Sequence, residues 1–149
     1  IGATPFTSDL MKALARRDIH PTLDVIWLES YRDARESSGR VVVRADLTRS
    51  VKDRGVIILD DVFDTGRSVE AIIQELKNKA RLNTPHDIRV AVPYYKPSRN
   101  ELDWEPHFYL HSTDAWLKYP HSLEGLSAEE IKANRPALYE ILKPHLAAH

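Results

Sequence analysis

The stretch that most narrows what this chain can become runs from Val56 to Ser68. It reads Val56-Ile57-Ile58-Leu59, then Asp60-Asp61-Val62-Phe63, then Asp64-Thr65-Gly66-Arg67-Ser68. The unbroken apolar run suits a central parallel strand covered on both faces. Beyond it, Val69, Ile72, Ile73, Leu76 and Ala80 fall at i, i+3, i+4, i+7 and i+11, the stripe of an amphipathic helix. A buried strand, an acidic break, a glycine turn and a helix therefore follow in immediate succession.

Each part carries its own chemistry. Adjacent carboxylates at a strand end, Asp60 and Asp61, offer acceptors for sugar hydroxyls or oxygen ligands for a hard cation such as magnesium. The turn from Asp64 to Ser68 leads N–H groups into a helix N-terminus, a site suited to a phosphate dianion. Thr65 and Ser68 add hydroxyl donors, and Gly66 lets the backbone approach a ligand closely. Any one of these residues alone reads as an ordinary βα turn with an Asp or Thr cap and a solvated acidic rim. Three carboxylates beside an anion-shaped turn repel one another unless a ligand or a metal uses them. No Gly-x-x-x-x-Gly-Lys occurs, which excludes a Walker loop.

Along the rest of the chain, Phe6, Leu10, Ala13 and Leu14 mark one face of a first helix that Thr4 or Thr7 could cap. Strands are expected at Leu23 to Leu28, Val41 to Val43, Ile88 to Tyr94 and Phe108 to Leu110. A polar stretch, Glu29 to Gly39, has little to bury. From Ser127 onward the pattern is helical, with a break near Pro136. Strands alternating with helices imply an α/β domain with a mostly parallel sheet, and such sheets bind ligands beyond the carboxyl ends of their strands. The chain's 149 residues, 42% hydrophobic, suffice for one domain with a real core.

Charge and composition exclude several classes. Lys and Arg number 21 against 22 Asp and Glu, so the basic excess of a broad nucleic-acid footprint is missing. There are no cysteines, hence no disulfides, thiolate catalysis or zinc–sulfur sites. No apolar run approaches a membrane span, and a cytoplasmic location is expected. Because the chain opens on Ile1-Gly2-Ala3, further sequence is expected upstream.

The Val56 to Ser68 string resembles the phosphoribosyl pyrophosphate (PRPP) motif of type I phosphoribosyltransferases, and in particular of the 6-oxopurine (hypoxanthine, guanine or xanthine) members. The resemblance implies a central, mostly parallel sheet flanked by helices, with a small C-terminal hood. It also implies roles. Asp60 and Asp61 would hold the ribose hydroxyls and the shell of a magnesium ion, and Asp64 to Ser68 would cradle the 5′-phosphate. Asp64 would also handle the proton on purine N7. Gly2-Ala3 resembles the short loop that receives pyrophosphate. Ser30-Tyr31 looks like the start of a mobile loop that closes over the reacting centre. Lys96-Pro97 is similar to the Lys-Pro whose amine donates to purine O6. Asp114-Ala115-Trp116-Leu117, followed by Pro120, resembles the base-binding segment, with Trp116 stacking on the purine and the Leu117 backbone facing its C2 edge. Glu124 lies near the place where some members carry a late metal-linked carboxylate. Departures are Ile1, where many members have Lys, the missing strand before Gly2, and the long tail from Ser127 to His149.

The implied reaction is transfer of the phosphoribosyl group from PRPP to a 6-oxopurine in purine salvage, by a homo-oligomer that engages neither nucleic acid nor membrane. The alternatives are a pyrimidine or adenine phosphoribosyltransferase, or a non-catalytic nucleotide-sensing regulator on the same fold. His107, His111 and His121 form no established metal-ligand spacing and read as ordinary polar histidines, and Trp27 and Trp104 read as packing residues.

Overall fold

The computed structural model describes residues 2–31, 40–45, 47–78, 84–117, 119 and 127–146. In chain order the elements are α1 (Thr4–Ala15), β1 (Trp27–Tyr31), β2 (Arg40–Ala45), β3 (Gly55–Leu59), β4 (Val62–Phe63), α2 (Arg67–Asn78), β5 (Asp87–Tyr95), a 3₁₀ turn (Pro97–Arg99), β6 (Phe108–Ser112), α3 (Ala128–Asn134) and α4 (Pro136–Leu146). They divide into two compact units, Ile1–Ala115 and Trp116–His149.

In the first unit β5 is the spine. β3, β4 and β6 all pair with it in parallel. Since β4 and β6 both pair with Tyr94 and Tyr95, they occupy opposite edges of β5. Gly55 to Leu59 pair with Asp87 to Ala91, and Val62 and Phe63 pair with Tyr94 and Tyr95 in the same register. Continuing that register sets Asp60 and Asp61 opposite Val92 and Pro93. Proline has no N–H to give a ladder, and the pairing lapses there, so β3 and β4 form one strand path interrupted at the two acids.

The apolar stripe of α2 is borne out: Val69, Ile72, Ile73 and Leu76 are buried against Ile58, Phe63, Val90, Val92 and Tyr95. Each such side chain contributes about 1.5–3 kcal/mol on burial. Ala80 lies outside the described residues. The expectation that Val56 to Leu59 is central and covered on both faces is corrected. β5 holds the centre, and Ile57 is 56% exposed while its neighbour Ile58 is buried. Alternate residues of a strand point to opposite faces: Ile58 is turned toward α2, and Ile57 lies on the more open face.

Other boundaries also moved. Of the strand expected at Leu23 to Leu28, only Trp27 and Leu28 are in a strand. The Asp24 carboxylate accepts from the Val25, Thr48 and Arg49 N–H groups and from the Thr48 hydroxyl, so this segment is tied into a side-chain-bonded turn, and the strand starts at Trp27. Glu29 to Tyr31, expected within a polar loop, instead pair antiparallel with Val42 to Arg40. Trp27 is 68% exposed and does not pack as expected, whereas Trp104 meets the Phe63 ring edge-on at 5.5 Å. Neither Thr4 nor Thr7 caps α1. Ala3 holds the N-cap position without a side-chain bond, and Pro5 follows within the first turn. Phe6, Leu10, Ala13 and Leu14 do share its half-buried side.

The second unit has the expected tail helices and break. Ser127 Oγ accepts the Glu130 N–H while Glu130 accepts the Ser127 N–H, a reciprocal cap that starts α3. Pro136 ends it at the preceding residue, Arg135, whose guanidinium donates to the Tyr119 carbonyl at 3.2 Å. Ile131 is the buried anchor of this unit.

Candidate functional site

The acidic pair occupies the lapse between β3 and β4. The Asp60 N–H reaches the Ala91 carbonyl at 3.4 Å, and the Asp61 N–H donates to Asp60 Oδ1 at 3.0 Å. Burial pushes the Asp60 carboxyl up to about 6, and the charge on Asp61 adds to the rise. Gly2 lies against this pair. A Cβ there would collide with the Asp61 carboxylate, whose Cγ would stand 2.9 Å away.

The turn after β4 is built on Gly66, whose φ of 82° is in the left-handed region. Its carbonyl accepts the Glu70 N–H at 2.9 Å and so opens α2. The first N–H groups of a helix have no partner within it and point toward any anion at its end. The Thr65 hydroxyl stands 3.4 Å from the Arg67 N–H. The absent Gly66 side chain was expected to make room for a ligand. The structure adds a different demand, because a Cβ would lie 2.6 Å from Leu102 Cδ1 and 2.9 Å from Phe63 Cζ. Thus the glycine is also a packing requirement.

A second loop borders the first. Lys96 directly follows β5, is 5% exposed, and donates its N–H to the Phe63 carbonyl at 2.9 Å. The 3₁₀ turn that follows is anchored by Asp114, which accepts the Ser98 N–H at 3.1 Å. Arg99 Nε stands 2.7 Å from Asp64 Oδ1, but its N–H is not aimed along that line, which makes the contact an ion pair rather than a well-formed hydrogen bond. Arg67 Nε donates to Glu101 Oε2 at 2.6 Å, and the Glu101 N–H donates to the Thr65 carbonyl at 3.1 Å. These contacts stitch residues 99–101 to the Asp64 to Arg67 turn. Neither Arg99 nor Glu101 was singled out from the sequence. The available signal was opposite charge just after Lys96-Pro97, matching the opposite charges of Asp64 and Arg67.

Gly2, Asp60, Asp61, Asp64 to Ser68 and Lys96 all belong to the first unit, and the contacts above connect them. Ser30 and Tyr31 end β1, and residues 32–39 of the expected mobile loop lie outside the described residues. Trp116, 74% exposed, and Leu117 open the second unit. Glu124, Pro120 and His121 lie outside the described residues. His107 and His111 have structural work: His107 Nδ1 accepts the Val90 N–H, and His111 stacks on Tyr94 at 5.1 Å.

Among the described residues no group of three or more acidic or imidazole side chains could cage a metal ion. The pair Asp60–Asp61 nevertheless fits magnesium, which is ordinarily held by one or two carboxylates together with substrate phosphates and water. Burial and the neighbouring Asp61 charge both raise the Asp60 carboxyl, and a hard dication beside it would favour the charged form.

Known proteins share this architecture. A hypoxanthine-guanine phosphoribosyltransferase of Streptococcus mutans is 29% identical over 102 residues, 68% of this chain and 53% of that protein. One of Staphylococcus epidermidis is 31% identical over 104 residues, 70% of this chain and 54% of that protein. The chain thus spans about half the length of these relatives. The crystal structure of a hypoxanthine phosphoribosyltransferase from Staphylococcus aureus superposes with a TM-score of 0.68 at 26% identity, over 85% of this chain and 68% of that one. The parallel sheet with its acidic strand end is the type I phosphoribosyltransferase fold. The family described as phosphoribosyl transferase domain matches residues 2–118, and the chain belongs to that family.

Proposed function

We propose that this protein transfers the 5-phosphoribosyl group of PRPP to a 6-oxopurine base, releasing pyrophosphate, as in purine salvage. The observation that carries this reading is the hydrogen bond from Lys96 N–H to the Phe63 carbonyl. It makes the residue suited to a purine O6 an immediate neighbour of the acidic and anion-shaped turn. The hypoxanthine-guanine names of the relatives support the same base class.

In this reading the α2 N-terminus and the hydroxyls of Thr65 and Ser68 hold the 5′-phosphate, with charge-assisted N–H bonds as the main attraction. Asp60 and Asp61 accept from the ribose hydroxyls and would hold a magnesium ion, which would supply positive charge to the departing pyrophosphate. Gly2, beside Asp61, leaves its backbone open to that pyrophosphate. Purine N9 forms the new bond at C1 of the ribose as the bond from C1 to pyrophosphate oxygen breaks. The N7 proton passes to Asp64, which is worth about 10²–10⁴-fold for a positioned general base. Lys96 donates to O6, Trp116 stacks on the ring, and the Leu117 backbone faces the C2 edge. Ser30 and Tyr31 begin the loop that excludes water. Glu124 is a further candidate for the metal shell. The single 1–149 domain, a cytoplasmic setting and a homo-oligomer complete the proposal.

Turnover of PRPP and magnesium with hypoxanthine, guanine, xanthine, adenine and uracil tests it. The three 6-oxopurines should react and the other two should not. Turnover with adenine or uracil alone would move the chain to another branch of the family, and tight nucleotide binding without any turnover would favour a regulator.

A further inference from the structure

The ion pair between Arg99 and Asp64 points to a role beyond holding two loops together. Arg99 Nε stands 2.7 Å from Asp64 Oδ1, and that oxygen is buried and without a hydrogen bond. A guanidinium beside one carboxylate oxygen leaves the other, Oδ2, as the oxygen available to a proton donor. Arg99 closes the 3₁₀ turn that starts directly after Lys96, and its N–H approaches the Lys96 carbonyl at 3.3 Å. Lys96 is the extended residue that leads into the turn, and Arg99 is its last residue. Purine O6 and N7 likewise lie side by side on a single edge of the base. One short turn therefore carries both the residue suited to O6 and the cation that orients the residue suited to N7.

We propose that Arg99 is a positioning residue that fixes the Asp64 carboxylate with Oδ2 toward purine N7. This rests on the phosphoribosyltransferase reading above. Arg99 does not touch the reacting atoms; it acts through Asp64. The pair is about half exposed on the Arg99 side, which makes its value for fold stability small. Its value for rate can be larger, because a misplaced general base forfeits part of the about 10²–10⁴-fold it supplies.

The test is a double-mutant cycle with guanine as the base. Arg99→Gln should lower kcat about tenfold while KM for PRPP moves by less than about twofold, and Arg99→Lys should recover part of the loss. In an Asp64→Asn background, Arg99→Gln should change kcat by less than about twofold, since the group it orients no longer accepts a proton. An equal loss of kcat in both backgrounds, an unchanged kcat, or an effect confined to KM would overturn the positioning role. If the wild-type protein turns over no base at all, the functional reading fails separately. A crystal structure of Arg99→Gln then still decides the inference: Asp64 should leave its single orientation, and an unmoved, well-ordered carboxylate refutes it.

Discussion

The main-chain N–H of Lys96 donates to the carbonyl of Phe63 across 2.9 Å, which binds the end of β5 to the residue before Asp64. The loop after β5 and the turn before α2 cannot drift apart while that bond holds. Lys96 is the buried charged side chain of the described residues, and its aliphatic stem is enclosed with it. Lys96→Met retains the stem and removes the charged donor. Losing a charged hydrogen bond costs about 1.5–3 kcal/mol, so kcat/KM for guanine should fall by about tenfold to a hundredfold. The ratio of guanine to adenine kcat/KM should shrink with it, because adenine presents a donor at C6. Steady-state kinetics with both bases reads this directly, and an unchanged ratio removes Lys96 from base selection.

Gly66 should prove as important to folding as to binding. Its φ of 82° costs a side-chain-bearing residue about 1–2 kcal/mol, and a Cβ would press on Leu102 and on Phe63 in the core. Gly66→Ala is therefore expected to lower unfolding free energy by at least about 2 kcal/mol in urea titrations. Adding Leu102→Ala should recover the steric part and leave the backbone part. Unchanged stability in Gly66→Ala would show that the turn relaxes freely.

Asp60 predicts a pH dependence with a definite sign. Its carboxyl is raised by burial to about 6 from an ordinary 3.8, so the folded state binds the proton more tightly than the unfolded state does. Stability is then fully present below about pH 4 and is lost as pH rises through about 6. Asp60→Asn should remove that loss, making the free protein more stable at pH 7 by up to about 3 kcal/mol, and indistinguishable from wild type in this respect at pH 3.5. Denaturant midpoints at the two pH values check it. Magnesium with PRPP should stabilise the wild type more than the variant.

Trp116→Ala should weaken guanine, hypoxanthine and xanthine alike by about 1–3 kcal/mol, the scale for a base stacked on an aromatic ring. A π-face does not read exocyclic groups, so the three losses should match. Base affinities from calorimetry with PRPP present measure them. A loss for one base alone would assign Trp116 to edge recognition instead.

By itself the sequence determined the local grammar of this protein. The stripe from Val69 to Leu76 specifies α2, because its period leaves one face to bury whatever lies opposite. Ser127 with Glu130, and Pro136, specify the ends of the tail helices through bonds made within a few residues. The run from Asp60 to Ser68 announces an acidic, anion-shaped turn for the same reason. Tertiary structure alone decided which strand is central, and it chose β5, whose pairings with β3, β4 and β6 join residues far apart in the chain. It also moved the start of the strand expected at Leu23 to Trp27, since Asp24 finds Thr48 and Arg49 only once the chain has folded back. The pairing of Arg99 with Asp64 and of Glu101 with Arg67 belongs to that second class. Charge attracts without regard to sequence separation, and no spacing rule states which of several nearby charges two loops will bring to contact.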